Sequence, residues 1–129
     1  LAGVEGSLRY RKGPFQYTQS EMWVNVLRIV PRMILQRMRR GRFLDIFVSH
    51  APPWGIHDKS DLPHQGIHAF RWLIETFKPR YHFHGHIHVY RQDVPTITRH
   101  ADTMVINTYA FKKTQVYRFD EQLPKIEVD

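Results

Sequence analysis

The chain has 129 residues, 42% of them hydrophobic, which is enough apolar material for one core in one domain. It has no cysteine, which excludes disulfides, thiolate zinc sites and cysteine nucleophiles, and leaves His, Asp and Glu as strong metal ligands. No apolar run reaches the roughly 20 residues that cross a bilayer, and no secretory signal follows Leu1, so we expect a cytoplasmic protein without a membrane partner. The formal net charge of +7 favours phosphates or acidic surfaces. It permits a nucleic-acid partner, although a solvated basic face is the simpler interpretation.

A strand end, a loop and a long helix are predicted first. The short apolar run at residues 1–10 is broken by glycines and followed by a turn-rich stretch through Pro14. From Ser20 to Arg40, apolar residues recur at three- and four-residue steps, as in an amphipathic helix. We expect Ser20 to cap this helix, Pro31 to kink it or begin a second segment, and Gly41 to end it. Its apolar residues are all predicted to be core: Met22, Trp23, Val26, Leu27, Val30, Met33, Ile34 and Met38.

A strand, a loop, a second helix and a second strand follow. Residues 43–48 are aromatic and β-branched, as in a buried parallel strand, and the breaker-rich residues 51–65 predict a loop. A helix is expected from Gly66 to the Lys78-Pro79 boundary, then a strand at 80–84. Residues 104–107 and 114–119 predict two more strands, paired antiparallel. This order indicates an α/β protein with its functional residues at the carboxyl ends of the strands.

The histidines are concentrated around the second predicted helix. There are nine, and all except His100 lie between residues 50 and 88. His50 directly follows one predicted strand, and His86 and His88 follow the next. Adjacent parallel strands would therefore bring three imidazoles to one edge of the sheet. Neutral imidazole is the commonest metal ligand in proteins, so the pattern predicts a metal site at this edge.

These residues resemble the last two motifs of the calcineurin-like metallophosphoesterases, which are a His after a strand and a later Gly-His-x-His. The matching residues are Ser49-His50 and Gly85-His86-Ile87-His88. The resemblance implies that His50 and His86 bind a second metal ion and His88 the first, while Gly85 lets the backbone turn close to the ions. It also implies that residues 1–129 form a single partial domain, the back half of a two-sheet β-sandwich flanked by helices.

The upstream acidic motifs of that family, Asp-x-His, Gly-Asp-x-x-Asp and Gly-Asn-His-Asp/Glu, have no counterpart here, so the catalytic His is unassigned. Residues 3–7 resemble only the stretch that follows the third motif. The chain starts at Leu1 and not at Met, so it need not begin where its gene begins. We expect the intact domain to use two divalent ions, Mn, Fe or Zn, to hydrolyse a phosphomonoester or phosphodiester. This chain should bind at most one ion weakly and be inactive without the missing N-terminal half.

Other polar residues have weaker claims to function. Asp58 and His64 lie in the predicted loop and are candidates, with Gly85, for contacting the phosphorylated substrate or supporting the metal ligands. His57 and His68 are weaker candidates in the same region. We expect His82 and His84 to share one face of a strand, where packing or hydrogen bonds to carbonyls explain them best. His100 is expected at the surface.

Two other metal-binding families fit poorly. A cupin-type site needs Glu where this chain has Gln92, and a metallo-β-lactamase-like site needs Asp and His after His88. The alternative that remains belongs to another class of protein. It is a non-catalytic basic binding or interaction domain with the same fold, and it is favoured if the natural protein lacks the acidic motifs.

Overall fold

A mixed sheet flanked by helices forms the centre of the protein. The computed structural model describes residues 1–109, and it agrees with the predicted α/β class. The helices are α1 (Gln19–Arg40) and α2 (His68–Phe77), with a 3₁₀ turn at Leu62–His64. The strands are β1 (Ala2–Val4), β2 (Ser7–Leu8), β3 (Gln16–Tyr17), β4 (Ile46–Ser49), β5 (Tyr81–His84), β6 (Ile97–His100) and β7 (Thr103–Asn107).

The five-stranded sheet has the order β1-β4-β5-β7-β6. Strands β1, β4, β5 and β7 are mutually parallel, and β6 pairs antiparallel with β7. The adjacent parallel strands that we expected on either side of α2 are therefore present, and their carboxyl ends meet at one edge. The antiparallel partner of β7 is β6, which the sequence did not predict, and the strand predicted at 114–119 lies outside the described residues. A two-stranded parallel ladder, β2-β3, lies apart from this sheet.

Helix α1 begins and continues differently from the prediction. Its N-cap is Thr18 and not Ser20, because Thr18 and Glu21 form a capping box in which each side chain bonds the other's backbone N–H. Pro31 does not divide the helix, which continues to Arg40. Gly41 ends it as predicted, in the left-handed conformation at φ 76°.

Only one of the two apolar faces of α1 is buried. Met22 and Val26 are fully buried and Met33 nearly so. Leu27, Ile34 and Met38, which we predicted to be core, are 49%, 47% and 79% exposed. Successive residues are about 100° apart around a helix. The apolar residues of α1 therefore occupy a wider surface than α2 and the sheet bury. That part of the core prediction is wrong.

The two helices and the sheet share one core. Phe47 of β4 meets Phe70 of α2 edge to face at 5.3 Å, and Trp23 of α1 packs on Trp72 of α2 at the same centroid distance. This packing fixes the end of β4 against α2.

Within residues 1–109, no helix is both long and apolar enough to cross a membrane.

Candidate metal centre

His50 and His86 are brought together by the ends of two parallel strands. Strand β4 pairs in parallel with β5, and just beyond them the Gly85 N–H donates to the His50 carbonyl at 3.1 Å. The two imidazoles are in contact, with His50 Nε2 3.0 Å from His86 Nδ1. The predicted meeting of these two side chains at the sheet edge is therefore present in the structure.

The proton positions on this pair follow from a neighbouring carbonyl. His86 Nε2 lies 2.6 Å from the Pro63 oxygen, which can only accept, so Nε2 carries a hydrogen and the neutral form of the ring has its lone pair on Nδ1. That lone pair accepts from His50 Nε2. In metal-binding histidines a backbone carbonyl commonly orients the ring nitrogen that does not ligate, as the Pro63 carbonyl orients His86 Nε2.

The separation of the two nitrogens suits a shared ion. Two ligands about 2.0–2.1 Å from one metal lie about 2.8–3.4 Å apart in octahedral or tetrahedral geometry, and the observed distance is 3.0 Å. Partial burial, and then the nearby His86, lower the pKa of His50 from its ordinary value. The neutral ring that a metal requires is therefore favoured.

The backbone at His86 is strained. Its φ is +64°, and the Ile87 N–H donates to the Gly85 carbonyl at 2.7 Å, which closes a three-residue turn centred on His86. A side chain at the centre of such a turn with positive φ is rare. We expected Gly85 to supply the unusual conformation, but the left-handed residue is His86, and a Cβ added at Gly85 would meet nothing within 4 Å.

His88 does not join this pair. Its ring stacks on Tyr109 at 4.3 Å, and its Nδ1 lies 3.2 Å from the Tyr90 hydroxyl. No three His, Asp or Glu side chains of residues 1–109 are grouped so that they could hold a metal ion. The structure thus brings together two of the three predicted ligands.

The loop after His50 lies against the pair. The His64 ring is 5.4 Å from the His86 ring, and its Nδ1 pairs with Asp61, whose pKa this hydrogen bond lowers. Asp58 accepts from the Gly66 N–H at 3.0 Å. His64 is thus placed beside the candidate ligands, whereas Asp58 shapes the loop. His68 stacks on Trp54 at 4.0 Å.

His82 and His84 are buried on the same side of β5, as predicted, with ring centroids 5.8 Å apart. The Ser49 hydroxyl donates to the Ala51 carbonyl at 2.7 Å, so it accepts from His82 Nε2 at 2.8 Å. His82 Nδ1 is then a bare acceptor, and it is buried without a partner in the described chain. Burial holds the pKa of His82 well below its usual value. At the end of β6, the strand that pairs with β7, His100 is half-buried beside Glu75 at 2.8 Å, less exposed than expected.

A part-buried chain of hydrogen bonds joins His84 to the loop. His57 Nδ1 lies 2.9 Å from His84 Nε2, and His57 Nε2 lies 2.8 Å from the Thr98 hydroxyl. His84 Nδ1 lies 3.1 Å from the Gly85 carbonyl. Burial lowers the pKa of both His57 and His84 to about 4, so both rings are neutral at pH 7.

The sequence did not predict that Glu5 lines a groove beside His50 or that His57 is hydrogen-bonded to His84. Glu5 lines an open groove of about 400 Å³ beside His50, and the Tyr17 hydroxyl donates to its carboxylate at 3.1 Å. The groove is lined by Glu5, Gly6, Ser7, Pro14, Phe15, Gln16 and His50. His57 reaches partners 27 and 41 residues away, and a contact at that separation leaves no local signal in one sequence.

Comparison of the chain with protein-family models and with curated protein sequences finds no match. What the site does is therefore inferred from its own geometry. Two imidazoles meet at the carboxyl edge of a parallel sheet, one oriented by a carbonyl, beside a groove that Glu5 also lines. Within residues 1–109 neither ring has a carboxylate partner, and the two imidazoles are candidate ligands for a divalent cation.

Proposed function

We propose that this chain supplies metal ligands to a metal-dependent phosphoesterase that hydrolyses a phosphomonoester or phosphodiester. The observation that carries the proposal is the 3.0 Å contact between His50 and His86 at the ends of adjacent parallel strands. In this proposal the mixed sheet and its helices are the back half of a two-sheet sandwich of the calcineurin-like type. The remaining ligands and the catalytic His would come from polypeptide beyond these 129 residues.

His50 and His86 would hold one ion through the nitrogens that now face each other. This requires the hydrogen on His50 Nε2 to move to Nδ1, so that both facing nitrogens present a lone pair. His88 would contribute to a second ion only after its ring leaves Tyr109, and an exposed side chain can make that change at small cost. Divalent ions at this edge, Mn, Fe or Zn, would neutralise charge on phosphate oxygens and make water more acidic. The Glu5 carboxylate in the adjoining groove favours a cation there.

Metal titration of the purified chain tests the ligand assignment. We expect the unsubstituted chain to bind one Zn²⁺ or Mn²⁺ weakly by calorimetry, and His50→Ala and His86→Ala each to weaken binding by at least about tenfold, because one of two ligands is lost. The control is His68→Ala, which removes an exposed imidazole stacked on Trp54. Binding that is unchanged by both ligand substitutions, in variants with a native circular dichroism spectrum, would refute the assignment.

A non-catalytic basic interaction domain is the second candidate. It is favoured by Arg28, Arg32 and Arg39, which are exposed beside the uncovered apolar residues of α1 and have no ion-pair partner within residues 1–109. Ligand-dependent metal uptake would favour the phosphoesterase. Phosphatase activity from the 129 residues alone, on a chromogenic phosphomonoester or phosphodiester, would contradict the requirement for further ligands.

A further inference from the structure

Two non-glycine residues with positive φ are associated with the hydrogen-bond chain through His84, one within it and one next to its end. His57 in the loop has φ +60° and His86 has φ +64°. Residues in this conformation persist where surrounding contacts hold them, and they are concentrated at functional sites. The hydrogen bonds that join the two show how His86 is held.

The Gly85 carbonyl, at one end of the hydrogen-bond chain, determines the position of every proton in it. The Gly85 oxygen can only accept, so His84 Nδ1 carries a hydrogen and His84 Nε2 is a bare acceptor. His57 must therefore donate from Nδ1, and its own bare Nε2 accepts from the Thr98 hydroxyl. The chain runs in one direction, from Thr98 through His57 and His84 to Gly85.

The chain ends on the atom that closes the turn at His86. The Gly85 carbonyl accepts from His84 Nδ1 at 3.1 Å and from the Ile87 N–H at 2.7 Å. The loop that carries His57 also contacts His86 directly, through the Pro63 carbonyl on Nε2. The loop and β6 are thereby connected to both the backbone and the ring of His86.

We infer that His57 is a positioning residue, which acts through His84 to hold the strained turn that presents His86 Nδ1 to a metal ion. It touches neither the ion nor the substrate in this role. The inference rests on the proposed function for the metal, but the hydrogen-bond chain and the turn can be measured without metal.

The test compares two substitutions in the full 129-residue chain. His57→Gly keeps a residue that adopts φ +60° without strain but removes the donor to His84. His57→Asn also tolerates this conformation and retains a short N–H donor toward His84 Nε2. Long-range ¹⁵N–¹H NMR assigns the His84 tautomer, the amide–Hα coupling of His86 reports its φ, and Zn²⁺ calorimetry reports the site.

We expect the unsubstituted chain and His57→Asn to have the Nδ1–H tautomer at His84 and the same His86 coupling. In His57→Gly we expect a mixture of tautomers, a changed coupling and Zn²⁺ binding weaker by about 10–100-fold. An Nε2–H tautomer at His84 in the unsubstituted chain, or an unaltered His86 coupling and affinity in His57→Gly, would overturn the inference. If the unsubstituted chain binds no metal, the proposed function fails, and the tautomer and coupling still decide the role of His57.

Discussion

The buried imidazoles make the stability of this protein depend on pH. His84 is almost fully buried and its pKa is lowered from 6.5 to about 4, with His57 similarly affected by burial. In the unfolded chain these residues bind protons below about pH 6.5, whereas the native state resists protonation until about pH 4. The unfolded state therefore binds more protons between these values, so native stability is complete above pH 6.5 and falls as the pH decreases.

We expect the free energy of unfolding to fall by about 2–3 kcal/mol through His84 alone between about pH 7.5 and about pH 4.5. Urea unfolding at several pH values measures this. His84→Gln cannot bind the proton and should lose less stability across the range. His68→Gln, which replaces an exposed imidazole, should retain the slope of the unsubstituted chain. Equal losses in His84→Gln and the unsubstituted chain would contradict the assignment.

For single residues, the sequence predicted the parts of the site that depend on strand order alone. His50 and His86 could be placed together because each follows a strand and the two strands are adjacent and parallel. The orientation of His88 could not be predicted, since it depends on stacking against Tyr109. The conformation of His86 was also missed, because a glycine beside it is the residue that usually adopts positive φ.

The helix α1 shows what apolar periodicity leaves undecided. The pattern located the helix, and Gly41 located its end, but apolar residues occupy two faces. Only contacts with α2 and the sheet decide which face is buried, and the sequence does not record those contacts. The correct N-cap could have been found from the sequence. Thr18 has Glu three residues later, at Glu21, as a capping box requires, whereas Ser20, the predicted cap, does not.

Two methionines of α1 give a matched test of which face of the helix is buried. Met22 is fully buried and Met38 is 79% exposed. Met22→Ala should reduce the free energy of unfolding by about 2–5 kcal/mol, because it leaves a cavity in the core. Met38→Ala should change it by no more than about 0.5 kcal/mol. Chemical denaturation of both variants measures the difference, and comparable losses would place both methionines in the core.

The whole molecule combines a predicted parallel centre with an edge that the sequence did not predict. Strands β4 and β5 with α2 between them followed from the order of apolar runs and breakers. The antiparallel β6 did not, because Ile97–His100 is short and polar and owes its structure to pairing with β7. A strand that depends on its neighbour in this way carries little local signal.

The surface of the described chain predicts self-association. Among residues 1–109, strand β1 pairs only with β4 and so forms one edge of the sheet. The apolar residues Leu27, Ile34 and Met38 of α1 are also exposed. An open strand edge and a row of exposed apolar side chains both favour contact between copies. We expect light scattering after size exclusion to show association that increases with protein concentration. Replacing Leu27, Ile34 and Met38 together by Ser should reduce this association. The control substitution Val94→Ser, at an exposed residue outside α1, should not. A cooperative monomer at every concentration would mean that neither the edge nor the helix needs covering, and would weaken the proposal that this chain is half of a larger domain.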